Sequence, residues 1–330
     1  RDSRDHAARL DMNEYQAWTE SPSRGRRLSV GVVGGGLSGR FAARLLDDLG
    51  HHVTIYDKGK RASGRLAERI AEDDTPFQLG TPRLDDCPEW AERHIQDWIE
   101  RGLLDADGKH PGLLFPSLLN YLGEDAHVLQ SHLVVGLDAI SNGARIRIIS
   151  PEGPVEVDHD HVFIAVPIEQ SRTLLETAAI TVDGRSEPCW VAWGPCPDGA
   201  IDAPCGWSLT RRGPDGATLE VRLDAPTSSD NLERSLSSMA THVATTLGID
   251  PENWSAHLWR FSRPIEGPEK VIHQGPFSVI GDAFGRPIGT AGAALDSASR
   301  AVADIHCSIG WQPSTSSPKL QQTNLFSWGE

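Results

Sequence analysis

The chain has 330 residues, with 31 Lys plus Arg against 46 Asp plus Glu, a formal net charge of −15. An acidic surface with a pI near 5.3 repels phosphate backbones, which excludes a polybasic nucleic-acid or membrane-surface binder. Hydrophobic residues at 38% supply enough core for two interlocked domains. A mean hydropathy of −0.34, with no long apolar run, predicts no transmembrane helix.

Residues 1–27 are polar and Arg-rich, lack the apolar stretch of a signal peptide, and read as an N-terminal extension with one short helix from His6 to Trp18. Structure begins at Leu28, where LSVGVVGG reads as a buried parallel strand. Leu37, Phe41, Leu45 and Leu49 then recur at helical spacing until Gly50 stops the helix, and HVTIY from His52 forms the second strand. A helix is predicted over Pro88 to Leu104 and a short one over Pro116 to Leu122. Val128 to Ile149 and Val155 to Val166 alternate like antiparallel strands, followed by a helix from Glu169 to Thr177. Glu187 to Val221 is strand-like, Leu232 to Leu247 helical, His257 to Phe261 and Phe277 to Ile280 are strands, and Thr290 to Ile309 is a helix before a polar tail.

Gly34-Gly35-Gly36-Leu37-Ser38-Gly39 matches G-x-G-x-x-G in the context its chemistry requires, after a strand and opening a helix. Gly34 permits the tight turn, Gly36 lets backbone approach a pyrophosphate, and Gly39 allows close helix–strand packing. The N–H groups of Leu37, Ser38 and Gly39 face the phosphates from the helix N-terminus. Asp57 stands 18 residues after Gly39 at the end of the second strand, placed to accept from a ribose diol. A Gly-Asp pair, Gly281-Asp282, ends the late strand, and Gly289 to Ala293 precede the last helix.

The segment after Asp57, DKGKRASGRLAER, resembles the FAD-dependent amine oxidase superfamily and, within it, the renalase-like proteins, which carry an acid followed by Gly-Gly-Arg. Ser63 replaces the first of those glycines. The resemblance extends through FQLGTP (Phe77 to Pro82), where Thr81 and Pro82 depart from the pattern, HVLQSHLVVGL, HVFIAVP, EPCWVAW, AHLWRFSRP and VIGDAFGRPIGTAGAALDSASRAVADI. It implies non-covalent FAD on Gly34, Gly36, Leu37, Ser38, Gly39, Asp57, Lys58, Gly64, Arg65, Val134, Gly281, Asp282, Gly292 and Ala293. It places Arg65 on the pyrophosphate, Val134 by the adenine and Phe77 and Gly80 by the flavin ring. Asp282 would accept from a ribityl hydroxyl, with the last helix facing the reduced ring. Arg65 suits a phosphate because a guanidinium binds it in fork geometry.

The fold class expected is α/β: a three-layer Rossmann-like FAD-binding domain from 28–85, 111–168 and 274–310, and an α+β substrate domain on a largely antiparallel sheet from 86–110 and 169–273. Residues 1–27 are the extension and 311–330 the tail. Cys87, Cys189, Cys196, Cys205 and Cys307 form no disulfide framework and no paired ligand spacing, so a reducing cytoplasm and no metal are expected. With a flavin carrying the redox chemistry, no nucleophile elbow is needed and none is present. The resemblance implies hydride transfer from a dihydronicotinamide-type compound or an amine to FAD, with O2 as acceptor. A nicotinamide nucleotide would then bind as substrate. Trp190, Trp193, Trp207, Trp259 and Arg260 are candidates for the substrate pocket, and His257 or His273 for a general base. Two other readings stay open: an FAD monooxygenase, from GDAFGRP and the glycines after it, and a flavin-binding accessory protein with a degenerate site.

Overall fold

The computed structural model describes residues 27–61, 64–70, 76–112, 114–212 and 216–308. The expected helix from His6 to Trp18, Ser63 and the polar tail lie outside the described residues.

The chain opens with β1 (Ser29–Val33), α1 (Leu37–Asp48) and β2 (His52–Asp57), with β1 and β2 parallel and in register from Ser29↔His52 to Val33↔Tyr56. A hairpin of β3 (Glu68–Ile70) and β4 (Pro76–Gln78) follows, then α2 (Glu92–Glu100) and α3 (Phe115–Leu122). The next strands are β5 (His127–Gln130), β6 (Leu133–Ile140), β7 (Gly143–Ser150), β8 (Gly153–His159) and β9 (His161–Ile164). After α4 (Ile168–Glu176) come β10 (Arg185–Pro195), β11 (Trp207–Arg212), β12 (Thr218–Leu223), α5 (Ala225–Asp230), α6 (Leu236–Thr246) and β13 (Ser255–Glu266). The described chain closes with β14 (Ile272–Gln274), β15 (Phe277–Val279) and α7 (Ala291–Ser308).

Six strands form one sheet in the order β14-β15-β9-β1-β2-β5, parallel except at β14. One face is covered by helices. Phe41, Leu45 and Leu46 of α1 meet Leu295, Ala298 and Val302 of α7, whose alanines allow close approach. The other face is covered by the β6-β7-β8 meander, with Leu137, Ile146 and Ile148 packed on Val33, Tyr56, Val162 and Ile164. The result is the three-layer Rossmann-like architecture expected, with a parallel sheet and separate antiparallel sheets.

The alternation read across residues 128–166 as antiparallel strands divides differently. Only β6 to β8 pair antiparallel, while β5 and β9 join the parallel sheet. All four residues of β9 are buried, the pattern of a strand covered on both faces. Residues 86–110, expected with the substrate domain, dock on α1 instead, with Trp98 and His94 packed edge-on against Phe41. An amphipathic segment shows the same apolar face whichever layer receives it.

The second sheet, β11-β12-β10-β13, is antiparallel throughout. Its outer face carries α5 and α6 over a core of Trp190, Leu219, Val221, Met239 and Val243. Its inner face turns toward β4 and the residues after it, where Phe77 and Leu79 pack with Val191, Cys189, Trp193 and Trp259.

Candidate dinucleotide site

The turn between β1 and α1 is held open by its glycines. Gly34 has φ +103°, and a Cβ there would meet the Ala165 carbonyl oxygen at 2.6 Å. A Cβ on Gly39 would strike the Gly34 carbonyl oxygen, so helix and turn touch backbone to backbone. Gly36 is different: it is extended (φ −78°, ψ −172°), and nothing lies within 4 Å of a Cβ built there. It is the N-cap of α1 and offers no side-chain cap. The Ser38 hydroxyl is buried and has no hydrogen-bond partner among the described residues, while Leu37 packs into the core. Open space, an orphaned hydroxyl and an uncapped helix N-terminus fit the pyrophosphate of a dinucleotide.

Sequence reading missed Arg40. It is 2% exposed, and its Nε donates to the Gly35 carbonyl (3.0 Å) and its Nη1 to the Leu119 carbonyl (2.8 Å). Burial lowers its pKa, partly offset by Asp57. The signal in the sequence was a cation directly after Gly39, in the first turn of the helix.

Asp57, at the carboxyl end of β2, accepts from the Gly35 N–H and the Gly59 N–H, each at 2.6 Å. Its carboxylate therefore stands at the rim of the glycine turn. Val134 lies in the core with Tyr56, two residues beyond the His132 N–H that donates to the Asp57 carbonyl. Lys58 points away, its Nζ 3.5 Å from Gln170 Oε1. Gly64, at φ +54°, lies against Gly36: a Cβ on Gly64 would be 3.3 Å from the Gly36 Cα.

Arg65 and Asp282 meet. The guanidinium donates to both carboxylate oxygens, at 2.5 and 2.6 Å, and to the Ser262 carbonyl of β13 at 3.2 Å. Burial alone would lower the Arg65 pKa, but Asp282 outweighs it and the net shift is upward. Gly281, at φ +134°, turns the chain after β15, and its N–H and carbonyl are both bonded to Ser297 Oγ at 2.9 Å. Two turns more than 200 residues apart in sequence thus come together: Asp282 holds Arg65, and the adjacent Gly64 covers Gly36.

Gly292 and Ala293 do not offer their N–H groups to this crevice, contrary to the sequence expectation. The Gly292 N–H donates to the Asp85 carbonyl (2.9 Å) and the Ala293 N–H to Thr290 Oγ1 (3.1 Å). A Cβ at Gly292 would strike the Asp86 carbonyl, so this glycine serves the close approach of the 85–87 loop.

The pleat of the second sheet sorts the remaining candidates. Trp259 pairs with Cys189 and His257 with Val191, all on the inner face toward Phe77. The His257 and Trp259 rings meet with centroids 4.5 Å apart, and burial, then Arg69, lowers the His257 pKa. Trp190 points the other way, into the core under α6, its Nε1 donating to the Asn231 carbonyl at 3.2 Å. Trp193, not Trp190, meets Phe77, with ring centroids at 5.7 Å. Arg260 alternates away from Trp259 and is exposed. His273 lies on the edge strand β14, bonded to Ser278 Oγ (2.8 Å) and Asp304 (3.0 Å). That pairing is toward the amino ends of the parallel strands, whereas the glycine turn, Asp57 and Asp282 are at their carboxyl ends.

Beside the Asp57 end lies a cleft of about 390 Å³ lined by Arg61, Glu68, Arg69, Ile70, Pro116, Asn120 and Gln130. Among the described residues no His/Cys/Asp/Glu group could hold a metal ion, and no helix is long and apolar enough to cross a membrane. All five cysteines are free thiols.

Residues 32–97 match the family model of an NAD(P)-binding Rossmann-like domain. The fold is similar to that of OxyS anhydrotetracycline hydroxylase from Streptomyces rimosus, with TM-score 0.54 and 13% identity over 86% of this chain and 62% of that one. It is also similar to a putative protoporphyrinogen oxidase from Exiguobacterium sp. 255-15, with TM-score 0.57 and 12% identity over 87% of this chain and 100% of that one. A flavoprotein/dehydrogenase from Cytophaga hutchinsonii aligns with TM-score 0.51 and 12% identity over 83% of this chain and 76% of that one. The chain spans less than two thirds of the hydroxylase's length. These likenesses are ones of fold.

Proposed function

We propose that the protein is an FAD-dependent oxidoreductase of the renalase-like kind, oxidising a small reduced substrate with O2 as electron acceptor. One observation carries the reading: open space at Gly36, beside the partnerless Ser38 hydroxyl and within reach of both the Asp57 and Arg65–Asp282 turns. The Gly34–Gly39 turn and the α1 N-terminus would hold the pyrophosphate, and Asp57 the ribose diol. Bound FAD supplies the capacity to accept a hydride. The inner face of the second sheet would form the substrate wall, with Trp193 and Trp259 restricting solvent. His257, whose pKa burial lowers, would take the N–H proton if the substrate is an amine.

The substrate class that fits this reading is a dihydronicotinamide or an amine. The fold likeness to a hydroxylase supports a second reading, a flavin monooxygenase. An absorption spectrum of the purified protein tests the first step: near-stoichiometric flavin is expected, and failure to carry or take up FAD refutes it. Anaerobic reduction then divides the readings. Direct bleaching by dihydronicotinamide isomers or amines supports the oxidase. Bleaching by NADPH only with an aromatic effector supports the monooxygenase.

A further inference from the structure

The inner face of the second sheet carries a charge cluster that the dinucleotide cradle does not use. Glu220, on β12, is 1% exposed as a residue and its side chain is fully enclosed. Two arginines flank it. Arg212 Nε donates to one carboxylate oxygen at 2.9 Å and Arg222 Nε to the other at 2.5 Å. Two cations and one anion leave the cluster with a single net positive charge.

Arg222 uses its remaining donors across the gap between the two sheets. Its Nη2 donates to the Leu79 and Gly80 carbonyls, both at 2.7 Å. Those residues are bonded in turn to the Gly64–Ala67 turn: the Gly80 N–H donates to the Ala67 carbonyl (3.1 Å) and the Thr81 N–H to the Arg65 carbonyl (2.7 Å). That turn is the one lying on Gly36 and gripping Asp282. A dinucleotide seated on Gly36 whose far end extends toward the second sheet would run beside this segment, since the Gly64 turn bonded to it lies against Gly36.

From this arrangement we infer that Arg222, fixed by Glu220 and balanced by Arg212, positions the 78–80 segment and is the cationic setting for the reducible ring. The inference rests on the flavoenzyme reading. Arg222 is a positioning residue here, acting through main-chain carbonyls. A fixed cation near the ring favours the form that carries negative charge, the reduced one, and so raises its midpoint potential. Glu220 subtracts from that field and Arg212 adds to it.

The test is the midpoint potential of the flavin-loaded protein, read by dye equilibration, in wild type, Arg212→Gln, Glu220→Gln, Arg222→Gln and Arg222→Lys. Removing a cation lowers the potential in Arg212→Gln and Arg222→Gln, removing the anion raises it in Glu220→Gln, and Arg222→Lys stays near wild type. Loss of packing alone would move Glu220→Gln and Arg222→Gln in the same direction. If Glu220→Gln does not fold, Arg212→Gln decides, because its guanidinium is partly exposed and touches neither Leu79 nor Gly80. Shifts of one sign, or none, in variants that bind flavin overturn the inference and leave the flavoenzyme reading standing. Wild-type protein that takes up no flavin overturns both.

Discussion

Gly36→Ala separates a nucleotide cradle from an ordinary structural turn. The position is extended, at φ −78° and ψ −172°, which alanine adopts without strain, and its Cβ would meet nothing within 4 Å. Replacing glycine at a compatible site stabilises a protein by about 0.4–1 kcal/mol through the unfolded chain. The melting temperature of the flavin-free variant should therefore equal or slightly exceed that of wild type. Binding should behave in the opposite way. A methyl group between the turn's N–H donors and a pyrophosphate is overpacking, at a cost of about 1–3 kcal/mol. At about 1.4 kcal/mol per tenfold, affinity falls about 5- to 150-fold. Titration calorimetry with FAD, and with ADP as a pyrophosphate lacking the ring, measures the loss. Gly39→Ala is the contrast: its Cβ strikes the Gly34 carbonyl, so stability itself should drop by about 1–3 kcal/mol. An alanine at Gly36 that binds FAD as well as wild type would refute the cradle.

Truncating Trp98 to alanine removes a side chain that is 1% exposed and packed on Phe41, and should cost about 3–5 kcal/mol in denaturant unfolding. A loss below about 1 kcal/mol would contradict the docking of α2 on α1. Burial pushes His51 and His94 down to about 4 and His161 to about 3. These groups are neutral when folded but take up protons near pH 6.5 when unfolded. Stability should be unaffected by them above pH 6.5 and fall as pH drops toward 4, by at most about 1.4 kcal/mol per pH unit for each. His94→Gln should flatten the slope of melting temperature between pH 6 and 4.5, and an unchanged slope refutes its assignment.

What the sequence made legible was local. The glycine turn and Asp57 could be read because a positive φ, a close backbone contact and a strand-end carboxylate each demand a particular residue type at short range. The N–H groups of Gly292 and Ala293 could not, because the 85–87 loop that claims one of them is about 200 residues away in sequence. The choice between Trp190 and Trp193 depended on pleat, where a shift of one residue reverses every side chain. Nothing in the letters gave the phase of β10. His273 was recognisably near a late strand, but the end of the sheet it occupies is set by the antiparallel pairing of β14 with β15. Glu220 and Arg222 alternate with Leu219, Val221 and Leu223, a pattern that normally marks a solvated face. Here a second body of the molecule covers that face, which only tertiary structure reveals.

The tie from Arg222 to Leu79 and Gly80 is made to peptide oxygens, which every amino acid possesses. The tie itself therefore survives exchange of the side chains at 78 and 79, whose constraint comes instead from burial: Gln78 Nε2 donates to the Ala67 carbonyl and Leu79 packs with Val191. Gly80 is the exception, since any Cβ there would strike the Arg65 carbonyl. The segment is thus constrained at all three positions, by burial at two of them and by backbone contact at the third.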